Sequence, residues 1–399
     1  MLEGAVGVQK GMPCDVAGLS CRPLCYGAGM KKRCIWAAAG VGLVAVVLFS
    51  GRAMPQAPAA GAAPADGNHL LLQAIRSNGL SGAGLKPWHI RISFDVASAY
   101  LQDADTGIIE EWWISDTHYK RTIAGKNFNQ TEYGTESGIR RAGTRSAAPP
   151  IYSTVLKSVT RPIDFPEDAV PTLSVNQIEK KIGSMSFSCL ATATGKATPA
   201  TVHVSPWIYC LDADHPILRF GSSPNGWGRE FRNHLVQFEG IYVAKQVEYS
   251  TGTPGDKQPT RTWSVQVEQL EPLKDEDANG IDPPPGTPAA PSKVTLSEKE
   301  ARGLLIDHPS PKYPPIALAA QVSGDVVCKV WVGTDGHVIE AGVVSGPLML
   351  QGAAADALRR WTFKPAQLNG DVEEMETTIT FHFKILWPGS SSDAAVKVE

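Results

Sequence analysis

The chain has 399 residues, which at ~100–200 residues per domain is room for two or three folded units. With 43% hydrophobic and 19% charged residues, it has enough apolar surface to build cores, which excludes disorder throughout. A net charge of −3 argues against nucleic acid as a partner, because such binders concentrate positive charge. A multi-span membrane protein is excluded too, since a single stretch is apolar and long enough to enter a bilayer.

That stretch lies at residues 34–50 and carries no charge, with Lys31, Lys32 and Arg33 just before it and only Arg52 close behind. The asymmetry keeps the front end in the cytoplasm and sends the rest across the membrane. As a helix the uncharged run, which extends to Gly51, is about 27 Å long, at the short limit for a span. Two readings stand open: an uncleaved inner-membrane anchor, or a signal-peptide apolar region cleaved near Gly51-Arg52-Ala53. Residues 1–33 are then a cytoplasmic tail or a misassigned start, with Met30 as the alternative. Their Cys14, Cys21 and Cys25, with Cys34, lack the paired spacing of a zinc site. Residues 51–68, rich in Ala, Pro and Gly, read as a flexible tether.

A β-rich domain is expected over 69–273. Trp88, Ile90, Ile92, Phe94 and Val96 alternate with His89, Arg91, Ser93 and Asp95, the pattern of a half-buried antiparallel strand. Further strands are expected at 107–114, 118–123, 128–133, 185–193, 202–211, 217–220, 235–249 and 262–270. Such close spacing indicates a curved or closed meander. Helices are expected at 70–77 and within 168–182. Large aromatics accumulate here, and Trp88, Phe94, Trp112 and Trp113 are candidates to line an apolar concavity for a lipid chain, the alternative being that they fill a core. Cys189 and Cys210 form either a cross-strand disulfide, as an oxidising compartment permits, or two buried thiols. The runs 87–91, 107–113 and 128–133, with the later pair 236–247 and 263–270, resemble strands of periplasmic lipoprotein-carrier half-barrels. That resemblance implies lipid or lipoprotein as cargo.

Residues 274–297 are a Pro-rich linker, extended and solvated, with a reach of about 60 Å at most. A second unit follows at 298–388, ahead of a disordered tail at 389–399. Tyr313-Pro314-Pro315 leads into a short helical turn at 316–321. Val326, Cys328, Val330 and Val332 alternate in a strand at 324–332, Asp335-Gly336 supplies a hairpin turn, and the return strand is 338–344. Leu350, Ala353, Ala354, Ala357 and Leu358 make one helical stripe. A turn at Asn369-Gly370 precedes a final strand at 377–386, in which Ile379, Phe381 and Phe383 alternate with Thr378, Thr380, His382 and Lys384. The fold class is therefore α+β: a mostly antiparallel, half-barrel-like domain and a small sheet with one or two helices.

Tyr313-Pro314, the hairpin over 324–345, Ser345-Gly346-Pro347-Leu348, Trp361-Thr362-Phe363-Lys364-Pro365-Ala366 and Ile379–Phe383 resemble, in order, the C-terminal domain of TonB-family energy transducers. The resemblance implies a periplasmic domain that docks on an outer-membrane transporter peptide, in a protein whose full members are driven by an inner-membrane proton-driven motor complex. Docking by strand addition needs an unpaired sheet edge. With the final strand as that edge, the docking residues are Tyr313, Pro314, Thr378, Thr380, His382 and Lys384, the alternative being an ordinary solvated strand face. The apolar run departs from the family in lacking its Ser-x-x-x-His face, since no His lies between Cys34 and Ser50. No catalytic constellation, metal-ligand spacing or cofactor motif is present in the sequence. The expectation is a non-enzymatic, TonB-like envelope protein supporting transport, with a periplasmic lipid or lipoprotein carrier as the alternative and another envelope protein as an alternative partner.

Overall fold

The computed structural model describes residues 67–81, 84–97, 101, 103–182, 184–193, 207–252, 259–385 and 396–398. The expected anchor, the tether up to residue 66 and most of the C-terminal tail lie outside the described residues. Among the described residues no helix is long and apolar enough to cross a membrane.

Helix α1 (Gly67–Asn78) is followed by strands β1 (Trp88–Val96), β2 (Asp105–Ser115), β3 (His118–Gly125), β4 (Asn129–Thr135) and β5 (Gly138–Gly143). Helix α2 (Pro150–Thr160) comes next, then β6 (Ser174–Ile182), β7 (Met185–Ala193), β8 (Ile208–Asp212), β9 (Leu218–Ser222), β10 (Gly228–Phe238), β11 (Ile241–Thr251) and β12 (Thr260–Pro272). All twelve join one antiparallel sheet in the order β5-β4-β3-β2-β1-β12-β11-β10-β9-β8-β7-β6. The helix expected within 168–182 is instead a short 3-10 turn at Val170–Thr172 and strand β6. The helix that does form is α2, whose Ile151, Tyr152, Val155, Leu156 and Val159 are buried on one stripe against the sheet.

The alternation in β1 works as expected: Trp88, Ile90, Ile92, Phe94 and Val96 pack under α2 with Ile109, Val247, Trp263 and Val265. Trp88 stacks on Trp113 at 5.5 Å and its indole N–H donates to the carbonyl of Leu80 at 2.8 Å. These rings therefore fill the core. Trp112 lies on the opposite face, stacked on His89 at 4.8 Å. At the far end of the sheet Leu190 faces α1, while Cys189 and Cys210, directly opposed in β7 and β8, are joined by a disulfide.

The small unit contains β13 (Lys293–Thr295), after a one-turn α3 (Asp275–Ala278), then α4 (Glu298–Gly303), β14 (Leu305–Asp307), α5 (Pro315–Ala319), β15 (Gly324–Val332) and β16 (Val338–Ser345). Helix α6 (Leu348–Leu358), β17 (Thr362–Phe363), β18 (Ala366–Leu368), β19 (Asp371–Phe383) and β20 (Val396–Val398) complete it. Its main sheet runs β13-β19-β15-β16, with β18 and β20 also on β19. Turn chemistry is as the sequence implies. Asn369 and Gly370 both take positive φ (54° and 94°) between β18 and β19. Gly336, at φ 81°, has no room for a side chain, since a Cβ there would meet the Phe363 carbonyl at 1.9 Å. Leu350, Ala354, Ala357 and Leu358 of α6 pack on Val326, Cys328, Val330, Ile379 and Phe381. Burial pushes the Cys328 thiol up to about 11, as befits a core residue.

The Pro-rich segment is extended but not a free, solvated tether. Pro288 accepts from the Arg141 N–H at 3.1 Å, and Ala290 donates to Ile139 at 2.8 Å, so the segment adds itself to the β5 edge of the large sheet. A few residues on, Glu374 N–H donates to Ser292, and β13 pairs in parallel with β19. One stretch of chain thus stitches the two sheets together.

A buried carboxylate completes the join. Glu374 of β19 is 2% exposed. Its Oε1 accepts from Arg141 Nη1 of β5 at 3.1 Å and from the Ala147 N–H at 2.6 Å, and its Oε2 from the Trp331 indole at 2.9 Å. Arg141 is the end of a row of opposed charges, Glu111, Arg121, Glu132 and Arg141, one from each of β2 to β5. Their contacts run 2.8 Å, 3.5 Å and 3.1 Å along the row. Burial works against the Arg121 charge, but Glu111 and Glu132 beside it outweigh that and hold its pKa above the ordinary value. Glu374→Ala leaves buried Arg141 with Glu132 alone of its two carboxylate partners and strands the Ala147 N–H and the Trp331 indole, and urea unfolding should show a loss of ~3–5 kcal/mol. Glu374→Gln, which keeps an acceptor for the Ala147 N–H, should lose less.

Candidate docking edge and interdomain cavity

Backbone direction in the small sheet follows from one clamp. Thr380 N–H donates to Glu298 Oε1 at 2.9 Å, and the Thr380 carbonyl accepts from Arg302 Nη2 at 3.3 Å, both from α4. The outward border of β19 is therefore held by α4 at Thr380, by β13 at Glu374 to Glu376 and by β20 at His382. This corrects the expectation of the final strand as a free edge: the chain's own backbone and side chains occupy it on both sides of Thr378.

The six expected docking residues are placed accordingly. Thr378 is exposed and Thr380 half-buried under α4. His382 Nδ1 lies 2.7 Å from Asp325 Oδ1, and Lys384 is exposed just beyond the strand. Tyr313 packs edge-on against Phe383 at 5.6 Å and donates its hydroxyl to the Val322 carbonyl, while Pro314 caps α5. They form structural contacts around β19 and do not converge on an open border.

The open border is on the other side. Because residues alternate in bonding direction along a strand, Ile379 and Phe381 bond toward β15 when Thr380 bonds outward. Their partners Cys328 and Val326 are thereby committed to β19, and Val327, Lys329 and Trp331 bond toward β16. On β16 that leaves Ala341 and Val343, opposite Val330 and Cys328, with N–H and C=O directed away from the sheet. Among the described residues no strand lies beyond β16. The outer strand of the large sheet, β6, is guarded differently, with Glu179, Lys180 and Lys181 exposed along it. On β16 only Glu340 carries charge, and the strand ends beside exposed Val344, Leu348 and Met349.

The first half of β16 forms one wall of a cleft of about 1150 Å³ between the two sheets. The facing wall carries the rings of Phe128, Tyr152, Trp207, Tyr249 and Trp263 among charged groups, Asp103, Lys126 and Glu230. Phe128 stacks on Tyr152 at 5.3 Å, and Tyr249 on Trp263 at 5.5 Å. Buried Asp105 sets this wall, its Oδ1 accepting from the N–H groups of Thr106 and Asn127 and its Oδ2 from the Tyr152 hydroxyl at 2.6 Å. Burial and then that hydrogen bond raise the Tyr152 pKa well above the phenol range, so the ring stays neutral. Across the cleft the β15–β16 turn is tied down by Thr334 N–H donating to Ser146 Oγ at 3.0 Å. Trp88, Phe94, Trp112 and Trp113, expected to face a lipid, do not line this cavity. Phe128, Trp207 and Trp263 stood out in the sequence only as part of its aromatic stock. Among the described residues no group of acidic, His or Cys side chains is arranged to hold a metal ion.

Residues 309–385 match the family model described as Gram-negative bacterial TonB protein C-terminal. The chain is 28% identical over 110 residues to Protein TonB of Vibrio cholerae, covering 25% of this chain and 43% of that protein. It is 34% identical over 77 residues to Protein TonB of Xanthomonas campestris pv. campestris, covering 19% and 34%. It thus spans less than half the length of these curated relatives. Among solved structures it is similar to a LolA superfamily protein from Nitrosomonas europaea (8% identity, TM-score 0.34, 53% of this chain and 96% of that chain). It is also similar to a DUF1329 family protein from Desulfovibrio piger (9%, TM-score 0.33, 54% and 98%).

The clamp on β19 can be checked directly. Removing its carboxylate with Glu298→Ala should speed hydrogen exchange of the Thr380 amide at least tenfold by NMR, while Ile379, bonded to β15, keeps its protection.

Proposed function

We propose that this chain is a TonB-like envelope protein whose C-terminal unit docks on an extended peptide of an outer-membrane transporter and so supports energy-coupled transport. The observation that carries the reading is the open border of β16 within the segment that matches the TonB C-terminal model. An incoming strand completes the hydrogen bonds of Ala341 and Val343 and extends the sheet by one member. The joint lies on β16, and the residues around β19, Thr378, Thr380, His382 and Lys384 included, hold the sheet from its other side. In this reading residues 34–50 anchor the protein in the inner membrane, where a proton-driven motor complex is the second partner, and the described body lies in the periplasm. The role is one of binding and coupling, with no reaction of its own.

A lipid or lipoprotein carrier is the second reading, and the cleft between the sheets is the observation that favours it.

The test uses the full chain and ten-residue peptides from the N-terminal segments of outer-membrane transporters, read by hydrogen–deuterium exchange. A binding peptide should raise protection in Val338–Ser345 and leave β19 unchanged. Ala341→Pro, which removes an outward N–H without breaking a ladder bond, should weaken binding at least tenfold. Protection confined to β19, or none with any peptide, overturns docking at β16.

A further inference from the structure

Strand β20 closes the far end of the β19 border. Val396, Lys397 and Val398 pair antiparallel with Phe383, His382 and Phe381. Phe381 and Phe383 are opposite Val326 and Gly324 and bond toward β15, so of these three residues of β19 only His382 bonds outward. It exchanges its N–H and C=O with the backbone of Lys397, the residue directly across.

The border is thus occupied by three unlike pieces. Backbone groups of Ser292 and Leu296, on either side of β13, bond Glu374 and Glu376. Side chains of α4 bond Thr380, and β20 bonds His382, with exposed Thr378 lying between β13 and the α4 clamp. The β20 piece has the least of its own to hold it. One exchanged pair of main-chain bonds gains no more than the conformational entropy lost in ordering three residues. Its advantage is the tether. Twelve residues separate Phe383 from Val396, and a connection of that length keeps a strand at an effective concentration on the order of millimolar. A strand held in this way turns away weak foreign strands and yields to one that gains more backbone bonds.

We infer that β20 is a built-in competitor: it closes the β19 border and so directs an extended peptide of a partner protein to β16. The inference rests on strand addition at β16 and adds its regulation. Release of β20 gives the sheet a second place to pair a strand, at His382 and at Lys384, the next outward position.

Lys397→Pro in the full chain tests it, because proline removes the N–H that the His382 carbonyl accepts and touches no core residue of the small unit. Hydrogen exchange of the His382 amide, read by NMR, should speed at least tenfold. Thr380, held by Glu298, and Phe381, bonded to β15, should keep their protection, and Lys397→Ala should change none of the three. With the ten-residue transporter peptides, the unaltered chain should gain protection in Val338–Ser345 alone, whereas K397P should gain it at His382 as well. Unchanged exchange at His382 in K397P overturns the competitor. So does peptide protection of His382 that is equal in both chains, or absent from both. No protection of β16 in either chain overturns docking there, and a gain at His382 confined to K397P then still upholds β20 as the strand that closes β19.

Discussion

The contact on which this architecture turns is the buried pairing of Glu374 with Arg141. A carboxylate 2% exposed is tolerable only because both oxygens are occupied, by a guanidinium, a backbone N–H and an indole. Each donor comes from a different place: β5, the start of the segment leading to α2, and β15. The carboxylate therefore fixes the small sheet's position relative to the large one. Arg141 is fixed in turn by Glu132, and the alternation continues through Arg121 to Glu111, so the join is braced across four strands. Opposite charges directly across antiparallel strands attract at each step, and a shift of one residue in any strand would send its member to the other face.

The segment between the units has a second consequence. The two main sheets bring four borders, and unpaired borders invite unwanted pairing. By lying along β5 and then β19, the Pro-rich stretch covers one border of each sheet. Charge along β6 discourages pairing at a third. β16 remains, short of charge, valine-rich and next to exposed apolar residues of α6. An unguarded edge among three managed ones is the physical basis for placing recognition there.

What the sequence shows and what it hides divide along the range of the interactions. Strand β1, the Asn369-Gly370 turn and the stripe of α6 are legible because each depends on residues a few positions apart. Helix α2 is not, since Ile151, Val155, Val159 and Thr160 are β-branched and weak helix formers; its stability comes from packing on β1, β11 and β12. The Pro-rich segment misleads in the same way. Its composition suits a solvated chain, and only the neighbouring β5 edge turns it into an added strand. Edge status is likewise nonlocal: the alternation of β19 is that of any half-buried strand, and nothing within it reveals that Glu298 and Arg302 hold Thr380.

The same nonlocality explains why the cavity escapes a reading of motifs. Its aromatic wall gathers Phe128, Tyr152, Trp207, Tyr249 and Trp263 from β3–β4, α2 and three regions of the later sheet, and its opposite wall is the edge of another sheet. Neither wall makes a site alone. Glu374, Arg141 and the Ser146–Thr334 contact hold the two walls at a fixed separation.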